Sequence, residues 1–547
     1  MAALISQAGM SLVVKMGGTF RPVTVKSTAM MCAVSVFSMA IISVYYEVLG
    51  KRGLGCFLLA ALCFAVTVHD IMSPVNEIYY RYPALAAALA VNLTAAPVIL
   101  GRHEREKEKY FEILSHENIF AVLALAAGLI ISISLPVSSY NSWDDENHYE
   151  RTLYASQSIY AIETDADIKL IYSPEIKAGS SEAKEYAGML DELDENPEKV
   201  IAYNSARAFH PDRIGYIGSI IFTWLGRVLN LCFSKRYILG RIGNLTLYVA
   251  VMYFAIKKLD KGKTLLTCLA LAPTSVFLSA NYSVDPFVFA FSAVGFSYFF
   301  ESLDKREKKL TWREIIIMVG AIVLAALPKL PYTLLLAFLL LMPKDKFESK
   351  KQMILYWALI IASALALFVL TYMSSFGSGQ EVADVRGREE EISALKQIKY
   401  ILSDPGAFIK MLAGFLSGYL NPLKATGAGL SNLSTSYEGT LAGLLLAVII
   451  AAALVDSPGS PIYVRVLGTL LCILMCAFLA WIFYLVYTPV GSSAISGCQA
   501  RYLIPTAFVS TSLVFGGWIN SKHKSLKYLP VAGSAIILAI NVMGIFK

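Results

Sequence analysis

Charge is what this sequence has least of: Asp, Glu, Lys and Arg make up 16% of 547 residues, against 56% hydrophobic ones. That balance excludes an ordinary soluble domain. Cysteine is sparse as well, with eight residues, and Cys32, Cys56, Cys63, Cys268, Cys472 and Cys476 lie inside apolar runs. With no CxxC pair and no metal-ligand spacing among them and the six histidines, a disulfide framework and a zinc site are both excluded. No stripe of Lys and Arg interleaved with aromatics is present, so the net charge of +7 reads as membrane topology and not as nucleic-acid binding. A glycine-rich phosphate loop between a strand and a helix is missing, which argues against a soluble nucleotide-sugar site. No internal period of about 20–50 residues marks a solenoid or duplicated transporter halves. The first 26 residues carry Lys15, Arg21 and Lys26 around a weak apolar stretch and do not read as a cleavable leader.

What the chain has in abundance is apolar runs of roughly 17–25 residues, enough to cross about 30 Å of hydrocarbon. Spans are expected at 30–48, 53–70, 83–100, 118–136, 237–256, 264–281, 284–301, a broken pair over 314–342, then 353–373, 438–456, 465–487, 501–519 and 529–546. Basic clusters at 51–52, 102–109, 257–263, 305–313, 344–351 and 522–527 alternate with them, and short basic loops stay in the cytoplasm. Two long loops, 137–236 and 374–437, are thereby placed outside. The same count leaves the basic N-terminus outside, against the charge rule. Within the first loop an acidic middle precedes an apolar stretch at 214–231, expected as an interfacial helix. The second loop holds an amphipathic stretch at 389–401, broken at Asp404-Pro405, and a further helical stretch to about 420.

Polar groups at the membrane edge are costly and usually have a task. The first group is WDDENHYER, where the chain leaves the 118–136 run. There Asp144 and Asp145 can ligate a divalent cation such as Mg or Mn, or one can act as general base while the other orients it. The plain alternative is an acidic helix start, for which Asp is a good cap. The second group is Lys329 in LPKLPY, between Pro328 and Pro331 and followed by Tyr332, in an apolar stretch whose two ends both look cytoplasmic. A tight hairpin of broken helices would turn this ammonium into a polar pocket, where it suits a phosphate; the alternative is a lysine snorkelling to the headgroups. Third, Asp285 follows Asn281–Val284 in an outer turn, as a cavity acid or a helix cap. Fourth, Arg501 and Tyr502 open a span, as a phosphate fork or a boundary anchor, with Arg236 and Arg241 as weaker candidates of the same kind. The topology puts all four groups on the outer side. Carboxylates in water beside cations in the membrane edge fit a substrate with a phosphate in the membrane and a reacting group outside it, the shape of a lipid-linked sugar.

The run DDENHYERTLYAS resembles the D-E-x-x-H-x-x-R motif of an uncharacterised family of bacterial multi-pass membrane proteins, a domain of unknown function grouped with the GT-C glycosyltransferase superfamily. RIGYIGSII, LGRIGNLTLY, SANYSVDPFVFA, LPKLPY, SDPGAFIK and CQARYLIP agree in order, so the resemblance covers roughly 118–520. Asp144 and Asp145 match the acidic pair, His148 the histidine and Arg151 the arginine. The second acid is Asp where the family more often has Glu, and Glu146 stands where proline is frequent. The resemblance implies an all-α, polytopic, GT-C-like helical bundle of about 13–14 transmembrane segments with two large outer loops containing interfacial helices. Residues 1–117 would form N-terminal spans and a basic loop, 118–520 the catalytic membrane domain, and 521–547 a last span. It further implies an inverting glycosyl transfer at the outer face of a bacterial plasma membrane, from a polyprenyl-phosphate-linked sugar donor to an envelope glycan or glycolipid acceptor. In that scheme Asp144 is the base, Asp145 orients it or holds a metal, and His148 supports the pair. Glu146, Arg151, Asp285, Lys329, Tyr332, Arg501 and Tyr502 line the substrate. The competing readings are a flippase or exporter, and a polymerase, of lipid-linked saccharides. Partners would be these substrates and membrane lipids, with no nucleic acid.

Overall fold

The computed structural model describes residues 115–545 apart from 158–159, 196, 198–199, 205–209, 306, 377–391, 435–440 and 517–523. The spans expected at 30–48, 53–70 and 83–100, the basic loop at 102–109 and part of that at 522–527 lie outside the described residues.

The first described helix, α1 (His116–Ser134), starts where the Ser115 hydroxyl accepts from the Asn118 amide at 3.4 Å. Beyond it the long loop after α1 folds into a small layer: α2 (Asp145–Ser156), β1 (Tyr160–Thr164), α3 (Asp165–Ile171), α4 (Ser181–Glu195) and β2 (Val200–Asn204). The two strands pair antiparallel, Tyr160 opposite Asn204 and Thr164 opposite Val200. This pair is the only β-sheet among the described residues, and the sequence reading did not anticipate it. Helix α3 is held at its start by a capping box, Thr164 with Asp167. A core of its own, Val137, Tyr149, Leu153, Ala166, Leu170, Leu190, Phe233, Tyr237 and Tyr282, seats this layer on the bundle.

The 214–231 stretch forms a 3₁₀ turn (Pro211–Tyr216) and α5 (Ile217–Val228), packed along α6 (Phe233–Lys258). Contact is close because both partners are glycine at the crossing. A Cβ on Gly218 would sit 2.5 Å from the Gly243 carbonyl oxygen, and one on Gly243 would sit 2.3 Å from that of Gly218.

The expected single span at 264–281 is instead two short helices, α7 (Lys263–Ala270) and α8 (Pro273–Ser279). Pro273 has no amide to continue the ladder and clashes with the preceding turn. Next come α9 (Asp285–Asp304) and α10 (Trp312–Ala326), the latter started by a Thr311–Glu314 capping box. The broken pair expected over 314–342 is present as α10, a 3₁₀ turn (Leu330–Leu334) and the one-turn α11 (Leu335–Leu339). The remainder is α12 (Lys350–Phe376), α13 (Ala394–Ser403), α14 (Pro405–Tyr419), α15 (Pro422–Gly429), α16 (Ala442–Val455), α17 (Ile462–Val486), a 3₁₀ turn (Ala500–Leu503) leading into α18 (Ile504–Phe515), and α19 (Tyr528–Gly544). The break expected at Asp404-Pro405 falls between α13 and α14, where the Asp404 carboxylate accepts from the Ala407 amide at 2.9 Å.

Among the described residues, five helices are long and apolar enough to cross a membrane: α1, α6, α9, α12 over Lys350–Leu370, and α17. Shorter apolar helices lie at Leu330–Leu339, Ala442–Val455, Ala500–Phe515 and Tyr528–Gly544. Helix α9 is the central one, with 78% of its apolar window buried against 17% for α12. At about 1.5 Å per residue its 20 residues reach about 30 Å, so its two ends can stand at opposite membrane faces.

Candidate functional site

Three segments meet at the N-terminal end of α9. Pro286 in the first helical turn has no amide to leave unsatisfied, and Asp285 just before it points its carboxylate sideways instead of capping. The irregular stretch between Pro328 and Pro331 brings Lys329 alongside: its Nζ donates to Asp285 Oδ1. From the 3₁₀ turn before α18, Arg501 donates through Nη1 to Asp285 Oδ2 at 2.9 Å. The same guanidinium donates through Nη2 to Asp144 Oδ2 at 3.1 Å, and through Nε to Gln499 Oε1 at 2.6 Å. One arginine therefore joins the acid at the start of α2 to the acid at the start of α9. Its side chain is 2% exposed and that of Asp285 7%, whereas Lys329 keeps 22% and Asp144 33%. Two cations and two carboxylates make the cluster neutral, and its Asp144–Lys329 side is open.

Aromatic rings wall the cations. The Arg501 guanidinium lies 5.1 Å from the Trp143 ring centre and 5.2 Å from that of Tyr502, and Lys329 Nζ lies 4.7 Å from Tyr502. Tyr502 in turn stacks on Phe483 at 5.1 Å, while its carbonyl accepts from the Tyr332 hydroxyl at 2.9 Å. Tyr332 is buried and acts here through that backbone contact.

Asp144 occupies the N-cap position of α2, yet its side chain makes no capping hydrogen bond, and its backbone is left-handed (φ 56°). One turn on, His148 is buried with Nδ1 2.7 Å from the Tyr216 hydroxyl. Arg151 Nη1 donates to that same hydroxyl oxygen at 3.4 Å, so the phenol proton is directed to His148. Burial, with Lys329 and Arg151 nearby, holds the His148 pKa well below its ordinary value, so the ring is neutral and accepts through Nδ1. Arg151 also faces Asp212, at 3.6 Å, which is paired with Arg213 at 3.1 Å and His210 at 2.6 Å. Glu146 accepts from Asn147 at 3.0 Å on the outer side of the same helix.

Asp145 goes the other way. It is fully buried, and neither carboxylate oxygen has a partner in good hydrogen-bond geometry, although the Tyr282 amide and the Arg241 charge both favour its ionised form. Burial dominates and pushes its pKa up to about 8. The structure thus does not bring Asp145 to Asp144. The adjacent pair does not offer a joint metal site, and among the described residues no group of three or more His, Cys, Asp or Glu could hold a metal ion. Arg241 and Arg236, weaker candidates in the sequence, are anchors. Buried Arg241 donates to the carbonyls of Leu135, Pro136 and Ser138, and Arg236 grips Asp194 at 2.8 and 3.1 Å.

Sequence reasoning missed Trp143 and Tyr216, although both lie in runs it singled out, WDDENHYER and RIGYIGSII. At the far end of α9, Lys261 pairs with Asp304 at 2.7 Å, and a cavity of about 200 Å³ is lined by His116, Glu117, Lys263, Asp456 and Lys527. Its lysines are already bound, Lys263 to Glu117 at 3.2 Å and Lys527 to Asp456 at 2.7 Å, so the cavity reads as a fastening of helix ends.

A family model described as Predicted membrane protein (DUF2142) matches residues 179–509. Asp285, Lys329 and Arg501 fall inside the match, and 144–151 precede it. No curated protein and no solved structure matches the chain.

Proposed function

The chain belongs to that family of predicted membrane proteins, since the match spans more than half of its residues, and from this premise we propose that it is a membrane glycosyltransferase. It moves a sugar from a polyprenyl-phosphate-linked donor to an envelope glycan or glycolipid at the outer face of the plasma membrane. The observation that carries this reading is the Arg501 bridge, which puts a half-open outer-loop carboxylate within one side chain of two cations at the end of a central span. Asp144 takes the proton of the acceptor hydroxyl, and the acceptor oxygen bonds to the sugar's anomeric carbon. The bond from that carbon to the phosphate breaks, and the electron pair leaves on the phosphate oxygen beside Lys329 and Arg501. Their charges, set in a partly desolvated pocket, stabilise the leaving group more than they would in water. Neutral His148 and Tyr216 hold the first turn of α2, and with it Asp144, against α5. Asp145 takes no part in the proton transfer, and no step uses a metal.

The test is envelope glycan composition in cells carrying Asp144→Asn, beside a deletion strain and wild type at equal membrane levels. Loss of the same sugar in both, with lipid-linked donor accumulating, supports transfer. Full restoration by Asp144→Asn overturns it in favour of a flippase or exporter, and chains of shortened length would point to a polymerase.

A further inference from the structure

We propose that Arg501 is a latch: its Nη2 holds Asp144 until the donor's phosphate takes that position, so that donor binding and release of the base are one event. This rests on the transferase reading of the same site. The cluster is already neutral, and an incoming phosphate adds negative charge to a pocket that holds two carboxylates. One of them must give way or the phosphate is repelled. Asp285 cannot give way, because each of its oxygens is held by a different cation and its side chain is buried. Asp144 can: it is one-third exposed and stands at the joint between loop and helix. A guanidinium fork binds phosphate oxygens as readily as carboxylate oxygens, so the exchange keeps the Nη2 hydrogen bond while changing its acceptor. An Asp144 oxygen that accepts from Arg501 has that lone pair occupied. Once released from Arg501, that lone pair can take the acceptor's proton as the sugar carbon bonds to the acceptor oxygen and the phosphate departs with the electron pair. Water reaching the site before the donor therefore meets a base that is tied down.

The probe is farnesyl phosphate, titrated calorimetrically into the full chain in lipid nanodiscs. Asp144→Asn and Asp144→Gly both suit the left-handed backbone, and their melting temperatures are followed alongside. Both variants are expected to bind roughly fivefold or more tightly than wild type, the usual scale of coupling between competing groups. Glu182→Gln, which removes one negative charge from the same outer loop without touching Arg501, is expected to bind as wild type does. Binding that is unchanged or weaker in the two Asp144 variants overturns the latch while leaving the phosphate site standing. Equal tightening in Glu182→Gln reduces the effect to net charge and overturns it too. Absence of binding in wild type and variants alike removes the donor site, and with it both readings.

Discussion

At the scale of single residues, the consequential contrast is between two buried aspartates, Asp285 and Asp145. Asp285 neutralises buried Arg501 and half-buried Lys329, and removing one member of such a set costs about 3–5 kcal/mol because most of the remaining charge stays buried. Asp285→Asn is accordingly expected to lower the unfolding midpoint in detergent substantially, and an unchanged midpoint would contradict the pairing. Asp145 behaves oppositely. Its pKa is raised to about 8 in the folded chain, so the folded state holds a proton that the unfolded chain releases above the ordinary carboxylate range. The contribution to stability is complete at pH values below about 4 and is lost as pH rises through about 8. Melting followed from pH 6 to 9 should fall in wild type and flatten in Asp145→Asn; identical slopes would rule out a protonated Asp145. At Asp144 the backbone decides which substitution is conservative. Asn tolerates φ 56°, whereas Glu keeps the charge but is strained there by about 1 kcal/mol, so Asp144→Glu should fold less well than Asp144→Asn by thermal melting.

At the scale of elements, the site depends on how closely α5 lies against α6, since the turn before α5 carries Tyr216. Gly243→Ala pushes a methyl into the Gly218 carbonyl and should cost about 1–3 kcal/mol. Reduced stability with retained expression is the expected readout in detergent unfolding, and full stability would refute the close crossing. This level also shows what the sequence could and could not reveal. Long spans such as α6, α9, α12 and α17 were legible to within a few residues, because hydrocarbon thickness fixes their length. The double-proline break that presents Lys329 was legible for the same reason as the break at Asp404-Pro405: proline cannot continue a helical ladder. Pro273 carried an equal signal, but it was overlooked within an apolar run. The divergence of Asp144 and Asp145 was not legible. Adjacent residues at a helix start point about 100° apart, and which one faces the bundle depends on how α2 docks. Tyr216 and Trp143 were hidden because aromatic residues in apolar runs read as packing until a cation is placed beside them.

At the scale of the molecule, two charged clusters terminate the central helix α9: Asp285, Lys329 and Arg501 at one end, and Lys261 with Asp304 at the other. Their separation of about 30 Å predicts opposite membrane faces. A cysteine at Glu185, in the loop layer, should react with an impermeant maleimide on intact cells, and one at Lys308 should react only after lysis. Labelling of both from the same side would reject the topology. The turn next to Lys329 packs against α10, α12 and α17, and α12 and α17 bury only 17% and 28% of their apolar windows. The cationic pocket thus lies just behind the helices most open to lipid, and a prenyl chain would reach it sideways, out of the bilayer. For such a ligand the relevant abundance is mole fraction in the membrane. Diluting donor with inert lipid at constant bulk concentration should then slow turnover, while diluting the whole vesicle suspension with buffer should not.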